Sequence, residues 1–190
     1  MHEKDTGVGD ALQRICTEID GVIDAVSGDS LERAAELIAT APRVFVLGAG
    51  RSGLALRMTA MRLMHLGLAV HVVGEVTTPA IAEDDVLLTA SGSGTTTGIV
   101  RAATTANDVG ARVVALTTDA ASPLGVLGGE ATVVVPAAAK LDRSGEASAQ
   151  YAGSLFEQAV VLIGDALFHA LWRRSGASAD DLWPRHSNLE

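Results

Sequence analysis

Two glycine-rich loops contain the residues of this sequence whose types and spacing could bind an anion. The first is Gly48-Ala49-Gly50-Arg51-Ser52-Gly53 and the second is Ser91-Gly92-Ser93-Gly94-Thr95-Thr96-Thr97, and each follows a short apolar run. Glycine lets the backbone approach a ligand closely, and the free N–H groups at the start of a helix attract negative charge. The two loops therefore predict a site for an anionic group.

The composition of the loops indicates which anion they would hold. The first loop has the G-x-G-x-x-G spacing of a dinucleotide site, and Glu75 follows near the end of the next strand, where a ribose would need a carboxylate. The second loop has five hydroxyl side chains in seven residues, which suit the several oxygens of a terminal phosphate. A tight turn with a helix cap would explain either loop taken alone. Together they favour a sugar phosphate, and the predicted ligands are Gly50, Arg51, Ser52, Ser91, Gly92, Ser93, Gly94 and Thr96.

Glu157 is the predicted general base. It comes near the start of a long helical pattern, beside the apolar residues Leu155 and Phe156. Carboxylates in such places can take a proton from a reacting carbon. A glutamate there could also serve only to complement the helix dipole, so this second interpretation stays open.

Two histidines are candidates for proton transfer or for the core. His186 lies in the tail Trp183-Pro184-Arg185-His186, where the tryptophan could anchor it. We predict that His186 moves protons, in its own pocket or in that of a neighbouring subunit, although polar termini are usually frayed. His65 shares a helical face with Leu54, Met58 and Met61, and we predict that it is buried and hydrogen-bonded.

The elements that must position these loops alternate between strands and helices. Apolar runs at 44–47, 69–73, 86–90, 113–117 and 132–135 are typical of strands buried on both faces. Helical patterns lie between them, at about 52–66, at about 96–109 and in a short stretch after Ser122, and a further one covers 153–174. Such alternation predicts an α/β three-layer sandwich around a mainly parallel five-stranded sheet. We expect one domain over 1–190, with a helical extension at about 10–40, an α/β core at about 43–175 and a tail at 176–190.

Composition excludes several classes of protein. The chain has 190 residues, a net charge of −9 and two lysines, so general nucleic-acid binding is not expected. The single cysteine, Cys16, cannot form an internal disulfide, and no Cys/His cluster predicts a metal site. The polar N-terminus predicts no signal segment, and the apolar runs are too short to span a membrane. We therefore expect a cytoplasmic protein.

Both loops resemble those of the sugar isomerase (SIS) domain family of phosphosugar isomerases and their regulators. Four further stretches, 60–67, 77–81, 155–158 and 185–190, resemble the 6-phospho-3-hexuloisomerase group of that family. The resemblance covers nearly the whole chain. It departs from the family at Thr95, where glutamate is expected, and at 83–85, where a glycine-containing turn is expected.

The resemblance implies a flavodoxin- or Rossmann-like fold and a specific reaction. This reaction interconverts D-arabino-hex-3-ulose 6-phosphate and fructose 6-phosphate through an enediol(ate), as in formaldehyde assimilation by the ribulose monophosphate pathway. It implies no cofactor and no metal. It also implies a homodimer or homotetramer with sites near subunit interfaces, and a metabolic link to a 3-hexulose-6-phosphate synthase.

Three alternatives remain open at this point. One is a non-catalytic SIS module that binds a phosphosugar, although 190 residues leave little room for a partner domain. Another is an isomerase of a different phosphosugar, such as arabinose 5-phosphate or sedoheptulose 7-phosphate. The third is a small NAD-dependent dehydrogenase that uses the first loop, in which case the hydroxyl-rich second loop would be unexplained.

Overall fold

The sheet is five-stranded and parallel, as the sequence predicts. The computed structural model describes residues 7–189, so Lys4 and the last residue of the 185–190 stretch lie outside the described residues. The strands are β1 Val44–Gly48, β2 Val70–Val72, β3 Val86–Ala90, β4 Arg112–Thr117 and β5 Thr132–Val134, in the order β2-β1-β3-β4-β5. All four neighbouring pairs are parallel. The predicted α/β class is confirmed.

Helices cover both faces of this sheet and complete three layers. They are α1 Val8–Asp24, α2 Gly28–Thr40, α3 Gly50–His65, α4 Thr97–Asp108, α5 Pro123–Gly128, α6 Ser154–Ser175 and α7 Ala179–Leu182. Side chains of α1, α2, α3 and α6 form one apolar cluster with the sheet, and those of α4 and α5 form the other. Because successive residues of a strand point to opposite faces, Val44 and Val46 join the first cluster and Phe45 the second.

The C-terminal tail is folded against the domain and is not frayed. Ser178 and Asp181 form a reciprocal capping box that starts α7, and a 3₁₀ turn follows at Trp183–Arg185. Leu182 is buried, which attaches this segment to the core. The tail therefore has a fixed position on the molecule.

Helix α6 is the central helix of its layer. By length and composition it could cross a membrane, since an 18-residue window has a mean hydropathy of 1.3, but 44% of that window is buried inside the protein. It contributes Phe156, Val160, Ile163 and Leu167 to the larger apolar cluster. An apolar composition is what such a core position requires.

Helices α3 and α6 touch at a glycine. A Cβ atom added to Gly164 of α6 would lie 2.0 Å from Thr59 Oγ1 of α3, so the two backbones approach closely at this point. The N-termini of both helices lie at the same end of the sheet. This contact therefore sets the spacing between the side chains that the two helices present there.

Candidate active site

A cavity of about 160 Å³ lies at the carboxyl ends of β1 and β3, where α3 and α4 begin. Ligands of open parallel sheets bind at this edge, because loops and helix N-termini converge there. The lining residues are Ala49, Gly50, Ser52, Ala90, Ser91, Gly92, Ser93, Thr96, Thr118, Ala138, Lys140, Gly153, Phe156 and Glu157. Both glycine-rich loops thus face one cavity.

The second loop gathers hydroxyl groups in front of α4. Ser91 Oγ and Thr96 Oγ1 are 2.9 Å apart and hydrogen-bonded, while Ser93 Oγ accepts hydrogen bonds from Thr95 N and Oγ1. Thr96 is the N-cap residue of α4, and its side chain caps no backbone N–H. The hydroxyls of Ser91, Ser93 and Thr96 and the N-terminus of α4 together form a concave group of donors that suits a phosphate.

Gly94 permits the conformation of this loop and its close packing on the end of β4 and the residues after it. Its φ is +61°, and a Cβ atom there would lie 1.9 Å from Ser122 Oγ and 2.9 Å from Thr117 Oγ1. Only glycine fits such a place. Gly94 is absent from the cavity wall, and its proposed contact with the substrate stays a prediction.

The glycines of the first loop allow the tight turn between β1 and α3, and one of them also lines the cavity. A Cβ atom on Gly53 would lie 2.4 Å from the carbonyl oxygen of Gly48, so these two glycines permit β1 and α3 to pack closely. Gly50 has a φ of +56° and lines the cavity together with Ser52. The N-terminus of α3 is thus the second helix start that points at the site.

Glu157 lies in the first turn of α6 and faces the cavity. Its Oε2 is 3.0 Å from Nε of Arg51, and the two side chains are 21% and 61% exposed. The fold therefore brings the predicted base and the predicted arginine together. Glu157 is part of the cavity wall, whereas Arg51 is not among the lining residues, and its contact with the substrate stays a prediction.

His186 lies far from this cavity within the same chain. Its ring stacks on His65 at a centroid distance of 3.9 Å, and Trp183 packs against it at 4.7 Å. His65 is the last residue of α3, and Gly50 is the first, so the rise of an α-helix puts about 22 Å between them. Trp183 does not anchor the tail in the way expected, because 69% of its surface is exposed and the buried residue of this segment is Leu182. The role of His186 in proton transfer stays a prediction.

His65 is buried as predicted, with 4% of its surface exposed, but one predicted hydrogen bond is missing. Its Nδ1 atom has no hydrogen-bond partner. Burial lowers the pKa of His65, and the nearby charges of His186 and Arg62 lower it further. The imidazole is thus held in its neutral form between the core and the tail. The stacked ring of His186 covers the face of His65 and leaves the in-plane Nδ1 atom without a partner.

Two segments of the cavity wall escaped the sequence reasoning. Thr118 follows β4 directly, so the rule that ligands bind at strand ends could have found it. Ala138, Lys140 and Gly153 belong to the irregular segment between β5 and α6, and nothing in their spacing signals the contact. Within residues 7–189, no group of three His, Cys, Asp or Glu side chains is arranged to hold a metal ion.

Comparison with known proteins places this geometry in a family. The family model described as "SIS domain" matches residues 37–139, which include both loops and all five strands. Over 179 residues the chain is 53% identical to a protein of Mycobacterium gastri named 3-hexulose-6-phosphate isomerase, covering 94% of this chain and 89% of that one. A protein of Bacillus subtilis with the same name is 34% identical, with coverage of 94% and 97%. The chain therefore belongs to the SIS domain family, in its group of 3-hexulose-6-phosphate isomerases.

A solved structure supports the same grouping. It is that of a protein from Methanococcus jannaschii, which is 26% identical to this chain and matches it with a TM-score of 0.80. The match covers 95% of this chain and 99% of that one. That crystal structure was described as inferring a molecular function of 3-hexulose-6-phosphate isomerase.

Proposed function

We propose that this protein is an isomerase that interconverts D-arabino-hex-3-ulose 6-phosphate and fructose 6-phosphate. The observation that carries the proposal is one cavity that joins a hydroxyl-rich loop at a helix N-terminus to the carboxylate of Glu157. A phosphosugar isomerase needs both parts, since one end of its substrate is a phosphate and the other loses a proton from carbon. The names of the relatives in Mycobacterium gastri and Bacillus subtilis support this reaction.

The phosphate is held by the two loops. Ser52, Ser91, Ser93 and Thr96 donate hydroxyl hydrogen bonds, and the backbone N–H groups of Gly92 and Gly94 add to them. The N-termini of α3 and α4 converge on this end of the cavity. Such donors suffice for an anion even in a chain with a net charge of −9, because the local groups in a cleft decide binding.

Glu157 is the base in this mechanism. Its carboxylate takes the proton from C2, the C–H electron pair forms the C2=C3 double bond, and the carbonyl electrons move to O3. Transfer of the O2 proton to O3, together with return of the abstracted proton from Glu157 to C3, gives the ketone at C2 and a hydroxyl at C3. Arg51 holds the carboxylate at 3.0 Å in the free protein, and its other N–H groups remain for the hydroxyls of the substrate.

A second copy of the chain supplies His186 to the site. Leu54, Met58 and Met61 form an exposed apolar stripe along α3, with 63%, 49% and 48% of their surfaces exposed. Two copies packed about a two-fold axis through this stripe bury it and set the two α3 helices antiparallel. The partner's His186, at the C-terminal end of its α3, then lies near the N-terminal end of α3 where the cavity opens. The site is completed in this way within a homodimer, or within a homotetramer built from two of them.

The cellular setting follows from the reaction. We expect the protein in the cytoplasm, without membrane or nucleic-acid partners. Its role is in formaldehyde assimilation by the ribulose monophosphate pathway, linked metabolically to a 3-hexulose-6-phosphate synthase that supplies the hexulose phosphate.

A coupled assay tests the reaction and the base. Ribulose 5-phosphate and formaldehyde are incubated with a purified hexulose-phosphate synthase, and fructose 6-phosphate is measured for the wild type, Glu157→Gln and Asp165→Asn. Asp165 is an exposed carboxylate two turns further along α6, so it is the matched control. We expect product from the wild type and from the control, and a loss of about 100-fold or more in Glu157→Gln. A wild type that makes no product contradicts the proposed reaction, and an active Glu157→Gln contradicts the assignment of the base.

Mixing two inactive variants tests which subunit supplies the histidine. Glu157→Gln and His186→Ala are denatured, combined in equal amounts and refolded together. If His186 acts on the neighbouring site, half of the dimers contain one intact site, and roughly a quarter of the wild-type activity returns. If no activity returns, His186 acts within its own chain. If His186→Ala is active before mixing, His186 has no part in the reaction.

A further inference from the structure

Lys140 is the one lysine among residues 7–189, and it lies in the wall of the substrate cavity. It belongs to the irregular segment 135–153 between β5 and α6. This segment leaves the sheet, forms the wall through Ala138 and Lys140, and returns to it through Gly153. The segment therefore passes the cavity twice, and Lys140 is the charged residue that it places in the cavity wall.

The charge of Lys140 has no counterpart in the site. The other cation at the cavity, Arg51, is paired with Glu157 at 3.0 Å. No ion pair formed within the described chain involves Lys140. When Arg51 and Glu157 compensate each other, Lys140 is the cationic side chain whose charge remains available to an anion in the cavity.

Lys140 and the proposed base Glu157 lie on either side of one glycine of the cavity wall, Gly153. A Cβ atom on Gly153 would be 3.8 Å from Glu157 Oε1 and 3.9 Å from Lys140 Cβ, so the glycine separates the carboxylate from the stem of the lysine. The hydroxyl-rich loop already surrounds the phosphate end with helix N-termini and donors. The flexible stem of a lysine can move its ammonium group across the few ångströms that separate it from a ligand beside Glu157.

We infer that the Lys140 ammonium group stabilises the negative charge that develops on the substrate during proton abstraction. This inference rests on the proposed isomerase reaction. As Glu157 takes the proton from C2, the carbonyl electrons move to O3, and Lys140 Nζ donates a hydrogen bond to that oxygen. The positive charge is needed in the transition state more than in the ground state, so it lowers the barrier to enediolate formation.

The test compares Lys140→Met, Lys140→Arg and a matched control, Arg143→Met, in the coupled assay. Arg143 lies three residues further along the same segment and outside the cavity wall, so its variant removes one positive charge without touching the site. We expect kcat to fall about 100-fold in Lys140→Met with KM changed less than threefold, and Lys140→Arg to regain at least tenfold. The control is expected to match the wild type.

Two inhibitors distinguish stabilisation of the enediolate by Lys140 from a role of Lys140 in binding the phosphate of the substrate. Inorganic phosphate reports the phosphate end, and a phosphorylated hydroxamate that mimics the planar enediolate reports the reacting end. We expect Lys140→Met to weaken hydroxamate inhibition by about the same factor as kcat and to leave phosphate inhibition unchanged.

Three outcomes overturn the inference. Wild-type kcat in Lys140→Met removes any role in the reaction. A raised KM with weaker phosphate inhibition and an unchanged kcat assigns Lys140 to the phosphate. An equal loss in Arg143→Met attributes the effect to the overall charge of the segment. In each of these cases the wild type still makes fructose 6-phosphate, whereas failure of the proposed function would be seen as an inactive wild type.

Discussion

Substitution of Gly164 by alanine tests the contact that sets the spacing of α3 and α6. The added Cβ atom would lie 2.0 Å from Thr59 Oγ1 and 3.1 Å from Thr59 Cβ, well inside normal contact distance. The 2.0 Å approach places the cost in the upper part of the range for overpacking, at about 2–3 kcal/mol, and the better helix propensity of alanine returns about 1 kcal/mol. We therefore expect Gly164→Ala to lower the free energy of unfolding by roughly 1–2 kcal/mol, which for a chain of this size lowers the Tm by roughly 2–8 °C.

The same substitution is expected to reduce catalysis, because α3 presents Arg51 and α6 presents Glu157 at the cavity. Moving the helices apart lengthens the 3.0 Å contact between these side chains. A displacement of about 1 Å in a catalytic group can cost up to about 100-fold in rate, and we expect at least tenfold here. Thermal unfolding and the coupled assay at fixed protein concentration measure the two effects.

Two further variants test whether the close contact at Gly164 is the cause of these effects. Thr59→Ala removes the hydroxyl that the new methyl group meets, so the double variant Thr59→Ala/Gly164→Ala should recover stability and activity relative to Gly164→Ala alone. Gly21→Ala on α1 is the matched control, since nothing lies within 4 Å of a Cβ atom at that position. It should stabilise the protein by about 0.5–1 kcal/mol. If Gly164→Ala is as stable as the wild type, or if Thr59→Ala brings no recovery, the close contact does not control the helix spacing.

Three further predictions concern the phosphate loop, the segment beside the cavity and the buried histidine. Thr96→Val should raise KM about tenfold with little change in kcat, because it removes a donor that holds substrate and transition state equally, and steady-state kinetics will show this. Burial raises the pKa of Glu18, but hydrogen bonds from 148–150 outweigh it and leave the pKa below its ordinary value. Glu18→Gln should thus lower the unfolding free energy by about 1–2 kcal/mol at pH 7, and urea titrations should find this difference shrinking as the pH falls from about 4.5 through the lowered pKa. Burial lowers the pKa of His65, so as the pH falls this histidine is protonated in the unfolded chain before it is protonated in the folded protein. The Tm should therefore fall as the pH drops below about 6.5, and the slope of Tm against pH should be flatter in His65→Phe.

The elements of the fold could be predicted because their patterns are local. Each of the five apolar runs is a strand, and the helices between them begin within two residues of their predicted starts. The loops could be located for the same reason, since a helix start after a buried strand requires glycine and capping residues within a few positions. The pairing of Glu157 with Arg51 also agrees with both lying at helix N-termini on one edge of the sheet.

The remaining features depend on contacts between distant segments. Lys140 lies in a segment without helical or strand periodicity, so only the folded chain shows that it reaches the cavity. The stacking of His186 on His65 joins residues that are 121 positions apart, and no spacing rule connects them. The hydrogen bond expected for His65 was inferred from its polarity, whereas in the folded chain its ring face stacks on His186 and its Nδ1 atom has no partner.

The site residues are unevenly distributed along the chain. The SIS match at 37–139 contains the hydroxyl loop and both helix starts that face the cavity, whereas Lys140, Glu157 and His186 all lie beyond it. Recognition and chemistry are thus separate modules within one domain. Because α6 belongs to the core, it must stay, but substitutions at Lys140, Glu157 and His186 could remove the chemistry and still leave the two loops that would hold a phosphosugar. In the proposed mechanism, such a descendant would sense the metabolite that its ancestor converted.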